Sequence, residues 1–267
     1  MLTPLAPRST VDLSDQAAAP PPGLPDKAEL RDRLAELVGR IDDLQSALFA
    51  ENQRALLVVL QGRDASGKDG VTRKVFGPLN SQGCVVSAFK KPSELELAHD
   101  YLWRVHQEVP RRGTIGVFNR SHYEDVLVVR VHDLVPADQW QRRYDQINAF
   151  ERMLTENGTT ILKFFLHISR KEQKERLLER LEDPTKNWKF NPQDLEERRH
   201  WDDFTSAYRD ALTRCSTDWA PWYLVPGDKK AARDVLIAEV VVKTLEAMNP
   251  KFPVSDPELL RNAKLID

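Results

Sequence analysis

The feature that most constrains this chain is residues 55–70, ALLVVLQGRDASGKDG. Residues 55–60 form a short, uninterrupted apolar run, the pattern of a strand covered on both faces, as in a parallel sheet. Gly62, Arg63, Asp64, Ala65, Ser66, Gly67 and Lys68 follow at once, with the GxxxxGK spacing of a phosphate-binding loop. Gly62 and Gly67 let the backbone bend until successive N–H groups converge on phosphate oxygens. The helix that follows adds the positive end of its dipole. Lys68 is then carried to a β- or γ-phosphate, and Arg63, Ala65, Ser66, Asp69 and Gly70 complete the expected cradle. Such loops ordinarily place Ser or Thr after the lysine as a Mg²⁺ ligand, but here that position is Asp69. Asp64 is a second carboxylate, so the expected metal arrangement has a carboxylate in place of the hydroxyl.

The chain of 267 residues is long enough for one large α/β domain. Lys and Arg total 39 against 41 Asp and Glu, a net charge of −2. Bulk charge therefore argues for neither a nucleic-acid coat nor a membrane surface, and any polyanion site must come from local clustering. Cys84 and Cys215 lack metal-ligand spacing and read as reduced thiols of a cytoplasmic protein. No apolar run approaches a membrane span, and the N-terminus lacks a signal-peptide pattern.

Residues 1–26 are Pro-rich and read as a loose tail. Leu30, Leu34, Leu37, Ile41, Leu44 and Leu48 recur at spacings of three and four, predicting a helix over 26–52. Beyond the loop, helix 69–76 leads to a strand at 84–89. A helix over 93–108 follows, opened by a Ser93/Glu96 capping box. Strand 114–118, helices 123–132 and 137–157, and strand 159–168 come next. Ser169 and Glu172 read as a second capping box for helix 170–182, which is dense in charge. Residues 183–191 break the periodicity. Asn191 and Pro192 restart a helix to about 213. Strand 222–225 and helix 229–248 close the domain, and 249–267 reads as a C-terminal tail. The fold class is α/β, with a five-stranded parallel sheet between helical layers.

In such sheets ligands sit at the carboxyl ends of the strands. Those ends carry the loop, Lys90 and Lys91, Asn119 and Arg120, and Ser169 and Arg170, so a basic crevice forms on a near-neutral protein, suited to a polyanion. Asn119 stands where a metal-holding Asp usually ends the strand. Ser121 belongs to the same turn, and the planar fork of Arg120 suits a transferring phosphoryl group. Arg176 and Arg180 share one helix face, as lid arginines that close over phosphates or as a solvated helix laced by Glu172, Glu175 and Glu179. Lys74, Lys90, Lys91 and Arg104 are candidates for holding an extended anion. His122, Glu124 and Asp125 suit either an acceptor nucleotide or a helix cap. Trp188 lies in the lid segment, placed to pack on a base.

GRDASGKDG, KKPSELELAHDYLWRVHQEVPRRG, FNRSHYEDVLVVRVH and DPTKNWKFNPQDLEER, in this order, resemble the family-2 polyphosphate kinases, with the FNRSHYEDV variant similar to the class III subgroup. The resemblance runs from about residue 27 to 248. It implies a P-loop kinase fold of the thymidylate-kinase type over 27–248, in three α/β/α layers with a helical lid at about 170–195. It also implies reversible phosphoryl transfer from inorganic polyphosphate to AMP or ADP, forming ADP or ATP, with Mg²⁺ or Mn²⁺, in a homodimer or homotetramer. On this sequence it implies roles in catalysis for Asp64, Lys68, Arg120, Arg176 and Arg180, metal contacts from Asp64 and Asn119, and acceptor preference at Glu124. Two other readings fit the residues: a nucleoside monophosphate kinase using ATP as donor, and a non-catalytic phosphate-binding module.

Overall fold

The apolar run after Arg54 becomes strand β1, Ala55–Gln61, buried along its whole length. Its alternation sends Leu56, Val58 and Leu60 to one face of a sheet and Leu57 and Val59 to the other. Both faces must then be covered, and each has its own apolar cluster. The computed structural model describes residues 2–254. Strands β2 (Cys84–Ala88), β3 (Ile115–Asn119), β4 (Thr159–His167) and β5 (Trp222–Pro226) join β1 in one parallel sheet, in the order β2-β3-β1-β4-β5. This is the α/β/α architecture expected.

Helix α1, Lys27–Glu51, covers one face together with α2 (Lys68–Val71) and its wider-wound continuation Thr72–Phe76. Asp26 opens α1 by accepting the N–H groups of Ala28 and Glu29. Short helices α3 (Glu94–Leu97) and α4 (Trp103–Gln107) follow β2, and α5 (Glu124–Val131) and α6 (Ala137–Glu156) follow β3. After β4 come α7 (Arg170–Glu182), α8 (Gln193–Arg199) and α9 (Trp201–Cys215). Helix α10, Lys230–Met248, packs beside α1, while α5, α6 and α9 cover the opposite face.

Three local expectations about helices are corrected. The helix expected over 93–108 is two helices: the Ser93/Glu96 capping box forms, but Asp100 accepts the Leu102 N–H and restarts the chain as α4. The helix expected to 213 bends at His200, between α8 and α9, and the bend sets the Trp201 ring 3.8 Å from the Arg63 guanidinium. At Ser169 only half of the capping box exists. Its hydroxyl accepts the Glu172 N–H, whereas its own N–H donates to Asp228 and the Glu172 carboxylate turns to Arg176.

The N-terminal segment is not loose. It is Pro-rich and irregular, yet Val11, Leu13 and Ala18 are buried. Leu5 N–H donates to Trp222 O, His167 Nε2 meets Ser14 O, Arg170 N–H donates to Asp15 and Asp228 N–H donates to Ala18 O. The segment thus runs alongside β5, from the first residue of that strand to the base of α7. The outer part of the expected C-terminal tail, 255–267, lies outside the described residues.

Candidate active site

The loop after β1 is held by its carbonyls. Lys68 Nζ donates to Gly62 O at 2.6 Å and Arg63 O at 3.2 Å. Gln173 Nε2 donates to Asp64 O at 3.0 Å. Arg176 Nη1 donates to Ala65 O and Ser66 O, at 2.9 and 3.1 Å, and Arg233 Nη1 reaches Ser66 O at 3.0 Å. Every carbonyl from Gly62 to Ser66 is therefore engaged by a side chain. The first N–H groups of α2, which have no intrahelical acceptor, are available to an anion. Gly67 is required here. Its φ is +99°, and a Cβ would collide with the Arg233 guanidinium.

Arg120 closes the other side. Its φ of 63°, costly for a non-glycine residue, turns the side chain back over the loop. Arg120 Nη2 lies 2.5 Å from Asp64 Oδ1 and Nη1 lies 3.0 Å from Glu124 Oε2. Glu124 first, then Asp64, outweigh burial and hold the guanidinium charged. Lys68 is different. Burial, reinforced by Arg120, lowers it to about 8, against the opposing pull of Asp64 and Glu124.

The loop opens onto a cleft of about 1320 Å³ lined by Asp64, Lys90, Lys91, Arg104, Arg120, Glu124, Asp125 and Asp194, among others. Lys90 and Lys91 are exposed at its rim. Arg104 is buried, donates to Lys90 O at 2.9 Å and so braces that rim. Asp125 faces Arg143 at 3.1 Å, yet burial outweighs the arginine and pushes the carboxyl up to about 6. Across the cleft, the wall carries Asp194 of α8; Arg180, expected as a catalytic lid arginine, is not part of the lining and binds Asp194 from behind it at 2.7 Å. Burial, then Asp64, pushes Asp194 up to about 6.

Several expected site side chains lie elsewhere. Arg176 is buried and does not face the cleft as a lid arginine. Its five donors serve Glu172, the carbonyls of Ala65 and Ser66, and Gly227 O and Asp228 O, because the first turns of α7 pack directly under the loop. Arg63 belongs to the cleft lining, but its guanidinium is engaged, stacking on Trp201 and donating to Trp201 O and Thr205; burial lowers it to about 10. Ser121 is buried, accepting from Gln61 Nε2 and Tyr123 N–H. Lys74 faces the buried Asp234 on the far side of α2, away from the cleft lining. His122 neither caps a helix nor meets the cleft; it is buried against Glu151. Trp188 is 78% exposed on the lid. Gln173, Asp194 and Arg233 were not expected. Each sits in an ordinary charged helix, and only the tertiary contact marks it.

Asp64 and Asp69 flank Lys68 with hard oxygen donors. Asp64 turns one oxygen to Arg120, and Asp69 Oδ1 accepts from Asn119 Nδ2 at 2.6 Å. Among the described residues no three His, Cys, Asp or Glu side chains form a metal cage. One or two carboxylates without a cage would suit a largely hydrated Mg²⁺. Asn119 presents its nitrogen, not its oxygen, to Asp69, so in this arrangement it steadies a carboxylate.

The polyphosphate kinase 2 family model, "Polyphosphate kinase 2 (PPK2)", matches residues 25–253. The chain belongs to the polyphosphate kinase 2 family. Among its relatives in that family is the AMP/ADP-polyphosphate phosphotransferase of Meiothermus ruber, 55% identical over 220 residues, 82% of either chain. The ADP-polyphosphate phosphotransferase of Rhodopseudomonas palustris is 44% identical over 259 residues, 92% of this chain and 90% of the relative. The crystal structure of polyphosphate kinase 2 from Arthrobacter aurescens superposes with a TM-score of 0.88 at 42% identity, covering 92% of this chain and 89% of that one. The PPK2 match spans the loop, the Asn119–Glu124 turn and the lid, so the residues of the site all lie inside the family region. No helix among the described residues is long and apolar enough to cross a membrane.

Proposed function

We propose that this chain transfers a phosphoryl group from inorganic polyphosphate to AMP and ADP, forming ADP and ATP, reversibly. The observation that carries the reading is the constellation of Asp64, Arg120 and Glu124 lining a cleft of about 1320 Å³, with Lys68 in the adjoining loop and Lys90 and Lys91 on the rim. Family membership and the names of the relatives at 55% and 44% identity support it. In this reading the reaction runs in the cytoplasm, Mg²⁺ or Mn²⁺ is required, and the enzyme works as a homodimer or homotetramer.

The chemistry follows from the side chains. The end of the polyphosphate docks on the loop N–H groups, and an oxygen of the acceptor phosphate attacks the terminal phosphorus in line while the bridging P–O bond breaks and the polyphosphate, shorter by one unit, leaves. Its oxygen is already ionised at neutral pH, so no strong general base is needed. Lys68 and Arg120 offset charge on the equatorial oxygens of the loose transition state. Asp64 and Glu124 fix the Arg120 fork, and Arg180 with Asp194 brings the lid over the cleft. A bound Mg²⁺, held by Asp64 with Asp69 steadied by Asn119, would supply further neutralisation of phosphate charge. Arg176 contributes by holding the loop. ATP formation from AMP with polyphosphate as sole donor tests the reading.

The lowered lysine gives a pH signature. In the empty loop Lys68 loses its proton above about pH 8. A bound polyanion raises that value, so binding above pH 8 takes up a proton and weakens as pH rises. The KM for polyphosphate is expected to be flat from pH 7 to about 8 and to climb by up to about tenfold per pH unit beyond it. A KM unchanged up to pH 9.5 would rule out this role for the Lys68 charge.

A further inference from the structure

One side chain joins the phosphate-binding loop to the returning helix of the lid. Gln173, in the first turn of α7, is 2% exposed. Its Nε2 donates to Asp64 O at 3.0 Å and its Oε1 accepts from Arg198 Nη1 of α8 at 2.7 Å. Arg198 Nη1 also donates to Arg170 O at 2.9 Å, so α8 is tied to the start of α7 as well. The amide has only one workable orientation. Turned over, its oxygen would face a carbonyl and its NH₂ a guanidinium.

The geometry points to Gln173 as a positioning residue that couples docking of the lid to the placement of Asp64; this rests on the phosphotransfer reading above. Arg198 gives Gln173 Oε1 a charge-assisted partner. With that partner in place, Nε2 holds the Asp64 carbonyl away from the phosphate side and leaves the Asp64 carboxylate on Arg120. When α8 lifts, Gln173 loses its charged partner and the apex of the loop is released. The lid thereby completes the transition-state site while the docking surface for polyphosphate, the loop N–H groups, stays intact.

The test is a double-mutant cycle on the full-length chain, with kcat and polyphosphate KM measured for Gln173→Met, Arg198→Met and the pair. Arg199→Met, whose exposed partner is Glu196, serves as the control. Each single change is expected to lower kcat by about tenfold, with KM changed by less than about threefold, because a small misplacement of reacting groups slows chemistry more than docking. The pair is expected to be no slower than either single change, as members of one relay are not additive. Arg198→Met is only partly buried, and it tests the relay from the lid side should Gln173→Met fold poorly. A kcat within twofold of wild type for Arg198→Met, multiplying losses in the pair, or a loss confined to KM would each overturn the coupling. Wild-type protein in the same assay separates the two claims: no polyphosphate-dependent transfer by wild type contradicts the function, whereas active wild type with unaffected variants contradicts only the relay.

Discussion

Replacing Lys68 by Ala is expected to lower kcat/KM for polyphosphate-dependent phosphorylation by about 10²- to 10³-fold, roughly 3–4 kcal/mol of transition-state stabilisation. The ammonium lies 2.6 Å from Gly62 O and 3.2 Å from Arg63 O, and these partners are carbonyls that a phosphoryl oxygen would outcompete. Lys68→Met retains the buried stem and removes only the charge. The two variants should lose activity alike, with melting temperatures close to wild type, because burial of the charged lysine is itself unfavourable. Activity of either variant within fivefold of wild type would remove Lys68 from the chemistry.

The second large effect lies away from the cleft. Lys163 points out of β4 into a fully buried network. Its Nζ lies 2.5 Å from Glu151 Oε2, 2.8 Å from the Tyr123 hydroxyl and 2.7 Å from Cys215 O, and Glu151 Oε1 also meets His122. Burial pushes the Glu151 carboxyl up, but Lys163 and His122 outweigh it and hold it below its ordinary value. Lys163→Met leaves that carboxylate buried without its main counter-charge. The expected cost is about 3–5 kcal/mol, or a melting temperature lower by roughly 6–20 °C. Lys163→Met with Glu151→Met removes both charges and should recover much of that loss, since a matched apolar pair often replaces a buried ion pair at little cost. A single change that leaves the melting temperature within 2 °C would show that the pair is not a stabilising contact.

The sheet and the loop were legible because their signals are local. An apolar run of strand length and two glycines at fixed spacing determine β1 and the turn after it with little help from the rest of the chain. The turn at Asn119 and Arg120 was legible for the same reason: it ends a strand beside β1. What escaped was decided by tertiary contact. Val11, Leu13 and Ala18 have no common period, so nothing in residues 2–26 announces that their backbone bonds to Trp222, His167 and Asp228. Arg176 and Arg180 look equivalent four residues apart, yet one turn of helix puts the first under the loop and the second against Asp194. Lys163 sits in an apolar strand as an isolated charge, and its partners come from the residue before α5, from α6 and from the end of α9. The charge pattern of a helix shows which residues share a face, but not what that face meets.

The central claim, that polyphosphate is the donor and an adenine nucleotide the acceptor, is tested most directly by incubating the purified chain with AMP and Mg²⁺ and supplying either polyphosphate or ATP. The account predicts that ADP and then ATP accumulate with polyphosphate as the sole donor, and that Lys68→Ala slows this by about 10²- to 10³-fold. Phosphorylation of AMP with ATP but not with polyphosphate would contradict it in favour of a nucleoside monophosphate kinase, and no transfer from either donor would leave a phosphate-binding module.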